Sequence, residues 1–71
     1  MAEPKRVKVR EVIRVIERDG WVLVRQRGSH RQFKHTTKRG VVTIAGNPGT
    51  EMPIGTLKSV LQQAGLERRG S

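Results

Sequence analysis

Two apolar stripes of helical spacing, one towards each end of a 71-residue chain, constrain this sequence more than any other feature. Val9, Val12, Ile13 and Ile16 fall at i, i+3, i+4 and i+7, and Leu57, Val60, Leu61 and Ala64 repeat the pattern. That spacing puts one apolar face on each of two amphipathic helices. The first is predicted over Val7 to Asp19, with Lys8, Arg10, Glu11, Arg14, Glu17 and Arg18 turned to solvent. The second is predicted to start between Pro53 and Thr56. Each stripe stops at a glycine followed by a large apolar residue, Gly20-Trp21 and Gly65-Leu66. Glycine there takes the left-handed conformation that closes a helix, and Trp21 is placed to fold back over the last turn.

The residues between the stripes read as strands. Trp21-Val22-Leu23-Val24-Arg25 is apolar in both registers, so alternation does not assign its inward face. Arg27-Gly28-Ser29 makes a turn. His30 to His35 does alternate, with Arg31, Phe33 and His35 on one side and His30, Gln32 and Lys34 on the other. With Phe33 in the core, His30 faces away from it. Thr36 to Gly40 turns the chain into a third strand, Val41 to Ala45, and Gly46-Asn47-Pro48-Gly49-Thr50 is a loop. The expected fold is α+β in the order α-β-β-β-α. Its three-stranded antiparallel sheet has both helices on one face and the other face open. Trp21 and Phe33, the only aromatics, belong to the core. Residues 7–66 form one domain, between a basic N-terminal extension at 1–6 and a polar tail at 67–71.

Charge narrows the partner. Fifteen Lys and Arg against six Asp and Glu give a formal net charge of +9. Cations gain free energy by releasing counterions from a phosphate backbone, which favours nucleic acid. No apolar run approaches the ~18 residues of a spanning helix, so no membrane partner is expected. The N-terminus lacks the apolar stretch of a signal peptide, and the expected location is cytoplasmic. Without cysteine there are no disulfides, thiolate metal sites or thiol nucleophiles. Glu3, Glu11, Glu17, Asp19, Glu51 and Glu67 are scattered. No carboxylate cluster of the kind two-metal nucleases use is predicted, and no metal or cofactor is expected.

Gly28-Ser29-His30-Arg31-Gln32-Phe33 is where these properties meet: one histidine at a glycine-led turn, among arginines. RNA is cut without metal when its 2′-hydroxyl attacks the adjacent phosphorus. That step needs a base, cations for the phosphorane charge and an acid for the leaving oxygen. Histidine serves either proton role. His30 is therefore the candidate general base or proton shuttle. Arg25, Arg27 and Arg31 are candidate phosphate clamps, because a guanidinium matches phosphate oxygens in a bidentate way. Lys34 is an alternative on His30's strand face. Gly28 either lets backbone approach a phosphate or serves only as a hairpin turn, and Ser29 is placed to orient the imidazole. His35, on the opposite face, is read as structural.

Gly20-Trp21, the run Arg25-Gln26-Arg27-Gly28-Ser29-His30, the loop through Gly49 and the segment Gly55 to Leu66 together resemble the HicA-type toxins of bacterial toxin–antitoxin pairs. The resemblance runs from about Val7 to Leu66. It implies a fold like a double-stranded-RNA-binding domain and an endoribonuclease that degrades mRNA, held inactive by a HicB-type antitoxin. It also implies that the histidine of the Gly-Ser-His motif, His30, is catalytic. The chain departs from the pattern at Ile44-Ala45-Gly46-Asn47-Pro48-Gly49, where many members carry a second histidine, so the resemblance assigns no general acid. The alternative function is a non-catalytic basic RNA-binding module. Its lysine cluster at the start of the second helix is reduced here to Lys58.

Overall fold

The computed structural model describes residues 7–66; the segments 1–6 and 67–71, read above as extension and tail, lie outside the described residues. Five strands and two helices follow in the order β1 (Val7–Lys8), α1 (Val9–Arg18), β2 (Trp21–Arg27), β3 (His30–His35), β4 (Val42–Ile44), β5 (Glu51–Met52) and α2 (Ile54–Gln63).

The first helix begins two residues later than its sequence suggests. Val7 and Lys8 pair with Met52 and Glu51 in a small antiparallel ribbon. The orphan amides of the first helical turn are then met by loop carbonyls: Val9 N–H donates to Thr50 O at 2.9 Å and Arg10 N–H to Pro48 O at 3.0 Å. Glu11 Oε1 accepts the Lys8 N–H at 2.9 Å, as an acidic side chain in a first turn does. The Gly46–Thr50 loop therefore also caps a helix, and Glu51–Met52, which the sequence reading left unassigned, forms a strand.

Both predicted stops are present. Gly20 has φ +110° and donates its N–H to Glu17 O. Gly65 has φ +71° and donates to Gln62 O, while Leu66 N–H reaches Leu61 O at 2.8 Å, the paired bonds of a Schellman cap.

The three-stranded sheet has the order β2-β3-β4, antiparallel throughout. Phe33 pairs with Val42 and Arg31 with Ile44, so Val42 and Ile44 share Phe33's face. Val9, Val12 and Ile16 of α1 and Val60 and Ala64 of α2 join Phe33, Val42, Ile44, Trp21 and Met52 in one buried cluster. Both helices thus cover the same sheet face, as expected. Each large side chain fully buried there contributes roughly 1.5–3 kcal/mol. Trp21 is buried in this cluster, and its Nε1–H crosses to Ala64 O at 3.3 Å, tying the sheet edge to the end of α2. Among the described residues no helix is long and apolar enough to cross a membrane.

Candidate functional site

The open face of the sheet is set by one extra residue. Trp21, Val22 and Leu23 pair with His35, Lys34 and Phe33, and then Arg25, Gln26 and Arg27 pair with Gln32, Arg31 and His30. Val24 has no partner and forms a β-bulge. In a regular strand Arg25 and Arg27 would share Leu23's core side. The bulge shifts the phase by one residue and turns both to the face of His30, Gln32 and Lys34.

Two residues, Gly28 and Ser29, join the paired ends Arg27 and His30. Gly28 has φ +57°, which a turn with glycine first requires, and a Cβ there would meet nothing within 4 Å. Its local requirement is thus the left-handed backbone. Gln26 Nε2 donates to Gly28 O at 3.1 Å across the turn.

Arg25, Arg27, His30, Gln32 and Thr43 line a shallow cleft of about 270 Å³ on this face. All five are exposed, and none has a side-chain hydrogen bond or ion pair to another described residue. Among the described residues no carboxylate lines the cleft, so its two guanidinium charges stand uncompensated by them beside the imidazole. Lys34 is on the same face one row further along, opposite Val22. Of the residues named from sequence, Arg25, Arg27, His30 and Lys34 thus share a surface, with Gly28 and Ser29 at its end.

Arg31 does not join them. It is partly buried on the opposite face, and its Nη1 donates to Ser29 O at 3.3 Å and to Gly46 O at 2.9 Å. The guanidinium braces the turn that carries His30 against the loop that follows β4. Two cleft residues were not singled out from sequence. Gln32 was readable by alternation from His30; Thr43 needed the register of β4, which brings it opposite Gln32.

His35 has a different setting. Its Nε2–H donates to Asp19 O at 2.6 Å, while Nδ1 accepts the backbone N–H groups of Thr37 at 3.0 Å and Lys38 at 3.2 Å, which selects the Nε2–H tautomer. The ring meets Trp21 edge-on at 5.2 Å between centroids. Lys38 Nζ donates to Asp19 Oδ2 at 2.6 Å and to Ala64 O at 3.0 Å. Its hydrogen bond, with its charge, holds the Asp19 carboxyl below the ordinary aspartate value. This network joins the C-terminal ends of both helices to the end of β3. Among the described residues no three His, Asp or Glu side chains gather as metal ligands would.

No curated protein matches the sequence. The family described as the HicA toxin of bacterial toxin–antitoxin systems matches over residues 9–66, which takes in every element from α1 to the cap of α2, and the chain belongs to that family.

Proposed function

We propose that the chain is a metal-independent endoribonuclease that cleaves mRNA in the cleft on the open sheet face, with His30 as its proton-transfer residue. The observation that carries this reading is the convergence of Arg25, Arg27 and His30 there, two unpaired cations and an uncommitted imidazole. In the proposed reaction His30 takes the proton of a ribose 2′-hydroxyl as its oxygen attacks the adjacent phosphorus. The P–O5′ bond breaks, and the imidazole returns the proton to the departing 5′ oxygen. The products are a 2′,3′-cyclic phosphate and a 5′-hydroxyl, with no net change in protons. One histidine suffices for this shuttle, so Asn47 in place of a second one does not block it.

Arg25 and Arg27 hold the non-bridging oxygens and stabilise the phosphorane charge, and Lys34 takes a neighbouring phosphate. Arg31, Gly28 and Ser29 position the turn from which His30 projects. A HicB-type antitoxin inhibits by laying an acidic surface over the unpaired arginines, which excludes RNA without reshaping the toxin.

The test is to incubate the protein and His30→Ala with end-labelled mRNA in EDTA, with and without the antitoxin. Expected are cleavage by the parent alone, binding retained in the variant, and no cleavage by the complex. RNA binding without cleavage by the parent would reject the nuclease, and undiminished cleavage by the complex would reject masking.

A further inference from the structure

We infer that the cleft is divided by chemistry across the sheet: its β2 half grips phosphate, and Gln32 and Thr43 on β3 and β4 read the base beside the scissile bond. They would be the specificity-determining residues of the cleavage, an inference that rests on the ribonuclease reading above. The division follows from what each side chain can exchange. A guanidinium held on phosphate, as proposed above, treats every nucleotide alike, so Arg25 and Arg27 in that role carry no sequence information. An amide presents a donor beside an acceptor, and a hydroxyl does both, which is the chemistry that separates one base edge from another.

Three features place that chemistry usefully. Gln32 and Thr43 are direct cross-strand partners, so their side chains rise from one spot with Cβ atoms roughly 4.5–5.5 Å apart. Gln32 lies two residues along β3 from His30 on the same face, about 7 Å away, which suits a base whose own ribose and phosphate lie at the histidine. Neither side chain is bonded to a described residue, so both are free for a ligand. The size agrees: about 270 Å³ falls just under the ~300–1,000 Å³ of pockets that enclose drug-sized ligands, room for one base. Stacking on a large aromatic ring is not offered here, because Trp21 and Phe33 are buried in the core, and stacking on His30 or a guanidinium plane is tolerant of base identity. Hydrogen bonds are then what carries the preference.

The experiment maps every cut in one defined mRNA, in EDTA, for the parent, Gln32→Ala, Thr43→Val and His30→Ala. In parallel, binding of the same RNA is measured against salt in the His30→Ala background, with Gln32→Ala or Arg25→Ala added. Expected are a parent preference at the base beside the cut that falls about tenfold in Gln32→Ala and less in Thr43→Val. The salt slope should stay put for Gln32→Ala and drop by about one for Arg25→Ala. A cutting parent with a silent His30→Ala, and an unchanged base preference in both cleft variants, would overturn this inference alone. A Gln32→Ala variant that lowers the salt slope as Arg25→Ala does would reassign it to phosphate and overturn it too. An RNA left intact by the parent would overturn the ribonuclease reading and this inference with it.

Discussion

His30 and His35 begin and end the same strand, and their surroundings are opposites. His35 has both ring nitrogens bonded, an indole against its ring and a side chain only 9% exposed. His30 is exposed, has no partner within the described chain and stands beside two unpaired arginines. A five-residue separation puts them on opposite sheet faces, one towards the helices and one towards solvent. The same imidazole is thus a structural bolt where its hydrogen bonds are consumed internally and stays free for a ligand where they are not. Whether a histidine is available for chemistry is decided by its bonding, more than by its type or its place in a basic chain.

The comparison breaks most sharply on activity. His30→Ala is expected to lower RNA cleavage by about 10²–10⁴-fold, the usual contribution of a positioned general base. Its stability should stay within about 0.5 kcal/mol of the parent, because the side chain holds nothing in place. Cleavage rates and a denaturant titration on the same preparation check both. A loss of stability as large as that of a core substitution would erase the distinction between the two histidines.

His35→Ala should do the reverse. It removes a partly buried ring and leaves the Asp19 carbonyl and the Thr37 and Lys38 amides without their partner, a loss of about 2–3 kcal/mol. For a chain of this size that lowers the melting temperature by roughly 10–20 °C. Cleavage measured well below the new midpoint should persist, because the cleft lies across the sheet. Gly20→Ala attacks the same bolt from its other side. A Cβ there would stand 2.7 Å from His35 Nε2, and the φ of +110° already disfavours any side chain. The expected cost is about 1–3 kcal/mol, again with cleavage retained, and thermal melts of both variants give the ranking.

Much of this contrast was legible in the sequence. The helices and their stops follow from periodicity and from Gly20 and Gly65, and the alternation of β3 separated His30 from Phe33 and His35. That same alternation put Arg31 on the core side. Grouping it with Arg25 and Arg27 as a clamp weighed nearness along the chain above strand geometry, and its guanidinium in fact holds the carbonyls of Ser29 and Gly46. The bulge at Val24 was not legible, because Val22, Leu23 and Val24 suit either face and nothing marks which of them is extra. Yet it is the bulge that aims Arg25 and Arg27 at His30. The β1–β5 ribbon was hidden for another reason: two-residue strands have no period, and their pairing exists only once the helices bring them together.

The smallest expected effect sharpens the comparison through pH. Lys38 stands beside His35 in the bolt, and its hydrogen bond to Asp19 holds that carboxyl below its ordinary value. Folded Asp19 therefore gives up its proton at a lower pH than unfolded Asp19, whose value is about 4. The resulting stabilisation is complete above that unfolded value and is lost as pH falls through the lower folded one. Denaturant midpoints measured from pH 6 down to pH 2.5 should show Asp19→Asn below the parent at the upper end, with the gap closing towards the acid end. Lys38→Met should lose the same pH-dependent part and also a constant part, because it gives up the bond to Ala64 O as well. Arg27→Ala, a substitution beside His30, should leave the acid limb of stability with the parent's shape, since among the described residues no carboxylate lines that cleft. Superimposable curves for Asp19→Asn and the parent, with no gap at any pH, would mean that Asp19 serves the bolt only through its backbone carbonyl, the atom that receives His35, and that the ion pair with Lys38 is incidental to it.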